Sequence, residues 1–162
     1  ILLRHQDRST WNKDLIHQGY YFLNQSSTGD ELTIFHLESA IAAEHCMAVT
    51  FQDTNWARML QLYNMLLEQK RTPLVLLNRA IVMAQLKQGI KAIQEIWQID
   101  NIDNLLLTQY IFSAVLGDLY WQIGDEHNAR KFLQLGHDLT PSLAEKKLIA
   151  GKLDMLCKAK MN

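Results

Sequence analysis

The sequence predicts an all-α fold, antiparallel helix pairs stacked as a short solenoid of about eight helices. Three observations carry this. Apolar residues recur at spacings of three and four along most of the 162 residues, the period of one helix face. No stretch alternates apolar and polar residues for long enough to make a strand. Only two prolines occur, Pro73 and Pro141, and each follows a threonine at a helix start, where its missing N–H leaves no hydrogen bond unmade.

The first helix spans about Thr10 to Asn24, capped by Asp7 or Ser9, with Trp11, Leu15, Gly19 and Phe22 along one apolar face. Residues Asn24 to Asp30 read as a polar loop. A second helix follows from about Glu31 to Val49, with Ile34, Leu37, Ile41 and Ala42 spaced for burial and Ala40, Ala42 and Ala43 small enough for close helix contact. Asp53 and Thr54 cap a third helix with the stripe Trp56, Met59, Leu60, Tyr63 and Leu67, and Lys70 and Arg71 suit its C-terminal dipole.

Thr72-Pro73 opens a fourth helix, apolar nearly all round from Leu74 to Ala84, which should be the most buried. Gly89 separates it from a shorter helix carrying Ile90, Ile93, Ile96 and Trp97. The polar turn Asp100 to Asp103 then caps a helix leading into the stretch Tyr110 to Leu143. After Pro141 a last helix sets Leu148, Ile149, Leu153 and Leu156 against Lys146, Lys147, Lys152, Lys158 and Lys160, which read as the solvated face of a capping helix.

Composition narrows the function classes. With 48% hydrophobic and 20% charged residues, the chain has an ordinary globular make-up, expected to form one domain over 1–162. A net charge of -1 argues against a surface made to neutralise phosphates, so direct nucleic-acid binding is not expected. No apolar run approaches the roughly 18 to 20 residues that span a bilayer, and no signal-peptide order opens the chain, so no membrane association and a cytoplasmic location are expected. The sequence begins at Ile1 in an already helix-like pattern and reads as the C-terminal piece of a longer protein.

No side-chain constellation points to catalysis, a cofactor or a metal. Cys46 and Cys157 belong to no CxxC or Cys-His spacing and read as free, mostly buried thiols. His36 and His45 fall on opposite sides of one helix, and the neighbours Glu44, His45 and Cys46 point about 100° apart. No GxGxxG, P-loop, HExxH or GxSxG is present. Asn78 and Arg79 interrupt the most apolar helix. The structural expectation is that Arg79 pairs with a carboxylate or helix-end carbonyl and Asn78 satisfies backbone groups; the functional alternative is a partner-binding groove.

Within Tyr110 to Leu143, Leu116, Gly117 and Tyr120 fall on one helix, Gly124 and Asp125 at a turn, Ala129 and Leu133 on the next helix, and Pro141 at the end. This order resembles a tetratricopeptide (TPR) repeat, whose period is about 34 residues. Gly117 and Ala129 would let two helices approach, Tyr120 would fill the space between them, and Gly124 would supply the permissive backbone of the turn. Ser113 stands where the family usually has Trp, and Gly136 where it usually has Ala.

A second resemblance runs through the whole chain. The segments are Leu2-Leu3 with Gln6-Asp7-Arg8-Ser9 and Trp11, Leu15-Ile16 with Gly19, Ala40-Ile41-Ala42-Ala43 with His45, Asp53-Thr54-Asn55-Trp56 with Leu62-Tyr63, Leu77-Asn78-Arg79-Ala80, and then the repeat-like half. In this order they resemble the C-terminal extension of one group of bacterial extracytoplasmic-function (ECF) RNA polymerase sigma factors. Asn55, often Asp in that group, and Leu32 to Leu37 depart from its pattern.

The resemblance implies a promoter-binding sigma core upstream and, here, a non-enzymatic domain regulating transcription through contacts with that core, and through it RNA polymerase, or with another protein or peptide in a helical groove. The alternative is a TPR-type interaction adaptor unrelated to transcription.

Overall fold

A computed structural model describes residues 6–26, 28 and 31–159. Among them are nine α-helices and no strand. A 3-10 turn, Arg8–Thr10, precedes α1 (Lys13–Ser26), α2 (Ile34–Met47), α3 (Trp56–Gln69), α4 (Pro73–Gln85), α5 (Gly89–Trp97), α6 (Ile102–Thr108), α7 (Tyr110–Gln122), α8 (Glu126–Leu139) and α9 (Leu143–Ala159). The all-α class is therefore observed. The chain divides within α4 into two compact units, Ile1–Val75 and Leu76–Asn162. Leu2, Leu3 and Lys160, and Ser27, Gly29 and Asp30 of the expected polar loop, lie outside the described residues.

In the first unit α2 packs against both α1 and α3. Its core is Leu37 and Ile41 from α2 with Met59, Leu62 and Leu66 from α3. Leu60, Tyr63 and Leu67 of the expected α3 stripe are only half-buried, so the seam is rotated toward Leu62 and Leu66. The α3 cap also differs from expectation. Asn55 Oδ1, not Asp53 or Thr54, accepts from the Arg58 N–H at 3.1 Å, while Asp53 is engaged by the Thr50 hydroxyl and amide.

The largest departure is α1. It begins at Lys13, after the 3-10 turn, with Asn12 Oδ1 accepting from the Leu15 amide. It contains no buried residue: Leu15 is 63% exposed and Phe22 67%. Two polar contacts help link it to α2. The Tyr20 hydroxyl donates to the Ala43 carbonyl at 2.6 Å. The Thr33 amide donates to His36 Nδ1 at 3.1 Å; since an N–H only donates, Nε2 carries the ring proton and faces the Ser26 carbonyl, 3.1 Å away.

In the second unit α7 and α8 form a hairpin that meets backbone to backbone. A Cβ on Gly117 would stand 2.8 Å from the Leu133 amide nitrogen, and one on Gly136 would stand 3.0 Å from the Ala114 nitrogen. A methyl group at Gly136 would need the Ala114 backbone to give way. The turn needs Gly124, whose φ of +82° is a left-handed conformation open to glycine. Leu116, Ala129 and Leu133 are fully buried. The Tyr120 ring stacks on Phe132 at 5.7 Å between centroids.

Where one helix was expected to lead from the Asp100–Asp103 turn into the repeat, there are two, α6 and α7. Gln109 takes an extended conformation between α6 and α7, and the buried Ser113 hydroxyl donates to the Leu106 carbonyl at 2.6 Å. That bond satisfies a carbonyl left open at the break. Beyond the hairpin, Pro141 lies exposed in the link to α9, which docks Ile149 and Leu156 onto Ala129 and Leu133.

Two charged side chains bear on expectation. Arg79 pairs with Glu95, as the structural reading of that residue required, and Asn78 is half-buried. Lys152 does not belong to a solvated face: its Nζ lies 2.6 Å from Asp118 Oδ2, with only 14% of the side chain exposed. The thiols are also less buried than expected. Cys46 is half-buried and Cys157 is exposed, accepting a hydrogen bond from Arg130 Nη1.

Candidate functional site

Five of the expected residues of the first unit, Asp7, Arg8, Trp11, His45 and Trp56, meet at the C-terminal end of α2. Arg8 is 8% exposed. Its Nη1 donates to the carbonyls of His45 (2.8 Å) and Ala48 (2.9 Å), and its Nη2 to Thr54 Oγ1 (3.4 Å). Ala48 is the C-cap of α2, so the guanidinium meets the carbonyls that carry the negative end of the helix dipole. Asp7 organises the approach by accepting from the Ser9 amide at 2.9 Å. The Arg8 guanidinium lies 5.3 Å from the Trp11 ring centroid.

On the other side the His45 ring meets Trp56 edge-on at 5.9 Å, and Trp56 tilts against Phe51 at 4.9 Å. Burial holds the His45 imidazole below its usual 6.5, and the Arg8 charge adds to this. Buried Glu44 pairs with the more exposed Arg58 at 2.6 Å. The cluster is a clasp: it ties the segment before α1 to both the end of α2 and the loop into α3.

Other expected site residues fall elsewhere. Gln6 is exposed, and Tyr63 is half-buried on α3, where burial, then the Glu38 charge, raises its pKa. Asn78, Arg79 and the repeat residues Leu116, Gly117, Tyr120, Gly124, Ala129 and Pro141 belong to the second unit. Among the described residues no group of three or more His, Cys, Asp or Glu side chains is arranged to hold a metal ion, and no helix is long and apolar enough to cross a membrane.

Ala43 leads to a different feature. It lies on a groove of about 580 Å³ between α1 and α2. One wall is the apolar face of α1, with Leu15, Ile16, Gly19, Phe22 and Leu23; the other is the small-residue stripe of α2, with Ser39, Ala42, Ala43 and Cys46. Tyr20 and Ser26 complete the lining, which contains no Asp, Glu, Lys, Arg or His. A Cβ added to Gly19 would meet nothing within 4 Å. The small side chains expected to draw helices together thus leave an open trough. Its sequence signal is an amphipathic α1 stripe facing a run of alanines, the same pattern that a closed helix contact would leave.

No protein-family model matches the chain, and no solved structure does. An uncharacterized protein of Rhizobium meliloti (strain 1021) is 25% identical over 156 residues, 96% of this chain. The chain spans 36% of that protein's length.

Proposed function

We propose that the chain is a non-catalytic protein-interaction domain that regulates an ECF-type sigma factor, through contacts with the sigma core or with another protein, in the cytoplasm. The observation that carries the interaction role is the groove: an amphipathic helix leaves its apolar face in solvent beside a neutral trough of small side chains, the form of surface that receives the apolar face of another helix. The assignment to sigma factors rests on the ordered signature that runs from Leu2-Leu3 through Leu77-Asn78-Arg79-Ala80 into the repeat-like half. The clasp around Arg8 explains part of that signature as a device that sets α2 and α3, the platform on which the groove's second wall is built.

The test uses a protein that carries this chain behind a sigma core. Removing Ile1–Asn162 changes promoter-specific transcription, and so does Ala42→Glu, which puts a charge in the trough. Unaltered transcription with the whole region removed defeats the proposal. An adaptor unconnected with transcription is the second reading, and a protein whose remaining length lacks a two-part sigma core decides for it.

A further inference from the structure

We infer that His45 is the release catch of the clasp: a proton taken up by its imidazole drives the Arg8 guanidinium off the end of α2 and frees segment 6–12, which leads into α1. The inference concerns the clasp and stands whether or not the domain regulates a sigma factor.

Segment 6–12 has one main anchor. Arg8 is buried, Trp11 is half-buried and the residues around them are exposed. The bonds from the guanidinium to the His45 and Ala48 carbonyls and the Thr54 hydroxyl therefore do most of the holding. The anchor is fixed to the backbone of the residue whose ring can gain a charge.

The latched ring is badly placed to carry that charge. Its Nδ1 is buried, and neither it nor Arg8 Nε meets a hydrogen-bond partner among the described residues. An imidazolium donates from both nitrogens, so protonation leaves a buried N–H without an acceptor, close to an existing cation. The acidic groups of the clasp are engaged elsewhere: Asp7 accepts from Ser9, Asp53 from Thr50, and Glu44 pairs with Arg58. On α1, Lys13, Asp14 and His17 are exposed and Tyr20 is tied to the Ala43 carbonyl, while Cys46 of α2 lines the groove. The charge that acts on the ring is that of Arg8.

Of the two sides, the segment is the less firmly held. The ring stands on α2, which places Leu37 and Ile41 in the core, and packs edge-on against Trp56; segment 6–12 contributes a single buried side chain. The latched ring titrates below its usual 6.5 and the released ring returns toward it. The released fraction therefore grows about tenfold for each pH unit below 6.5, and levels off once the latched ring is itself protonated.

Trypsin reads the release directly, because the bond after Arg8 is cut only when the segment comes free. Its rate in the 162-residue chain, divided by the rate in a peptide of residues 5–12 at the same pH, follows the released fraction. Over pH about 7.5 to about 5.5 the ratio is expected to rise with that slope, while cleavage after Arg58 on α3 does not keep pace. In His45→Gln, shown to be folded by circular dichroism, the ratio is expected to be flat. In the wild type, the His45 ring signal in NMR titrates below 6.5.

A wild-type ratio that ignores pH while the His45 ring titrates overturns the inference, since the ring then turns out of the clasp and leaves Arg8 in place. So does a rise that persists in His45→Gln, which assigns the proton to another group. Cleavage after Arg58 in step with Arg8 also overturns it, because the whole unit is then unfolding.

Discussion

Replacing Arg8 by methionine keeps an aliphatic stem near Trp11 and removes the guanidinium from the end of α2. The His45 and Ala48 carbonyls and the Thr54 hydroxyl then lose a common donor. A hydrogen bond to a charged group contributes about 1.5–3 kcal/mol, and a buried acceptor left unpaired costs a similar amount. Against this stands the desolvation of a cation that is 8% exposed, which the substitution relieves. The net expectation is a loss of about 2–4 kcal/mol, or roughly 5–15 °C in melting temperature for a chain of this size. Thermal and urea unfolding followed by circular dichroism and tryptophan fluorescence measure it, with Trp11 and Trp56 reporting beside the lost group. Arg8→Lys, a point charge without the fork that spans two carbonyls, recovers less than half of the loss. A methionine variant within about 0.5 kcal/mol of wild type, the range of ordinary surface changes, would show that the clasp is not what holds α2 to the loop before α3.

The paired glycines give a sharper contrast. Gly117→Ala drives a methyl group into the Leu133 backbone and lowers stability by about 1–3 kcal/mol, whereas Gly151→Ala on α9, with nothing within 4 Å of its new Cβ, raises it by about 0.5–1 kcal/mol; urea midpoints of the two variants should move in opposite directions. Because folding lowers the His45 pKa below 6.5, the unfolded chain takes up the proton first. Stability from this residue is complete above about 6.5 and is lost as pH falls toward the folded value. Melting temperatures measured from pH 7.5 downward should flatten in His45→Gln over that window; an unchanged slope rules His45 out as its source. Asn55→Ala removes the α3 cap and costs about 1 kcal/mol, measured by urea unfolding.

The helices of both units were legible because the three-and-four spacing is local. The seam of α8 follows it, with Ala129 and Leu133 buried where it puts them; α3 and α5 follow it in part, burying Met59, Ile93 and Ile96 but leaving Ile90 and Trp97 exposed and turning the α3 seam toward Leu62 and Leu66. The fate of α1 was not legible, since periodicity shows that a face is apolar and says nothing of what covers it. The break at Gln109 carries no glycine or proline to announce it. Its partner, the Ser113 hydroxyl on the Leu106 carbonyl, is visible only once the turn is built. Lys152 read as solvated because Asp118, which holds it, lies 34 residues away. For the clasp, the sequence identified the residues Asp7, Arg8, Trp11, His45 and Trp56 but not their meeting place.

An α1 with no buried side chain has a further consequence. The free energy needed to open a segment locally follows the apolar area it withdraws from water, and α1 withdraws little. Its attachments include a phenol on one carbonyl and an imidazole on another, beside the half-buried Ile16 and Leu23. Exchange of its backbone amides with solvent therefore runs ahead of exchange in α2 and α3. The two walls of the trough therefore differ in how firmly they are held, α2 by the Leu37–Met59 core and α1 by little buried area of its own.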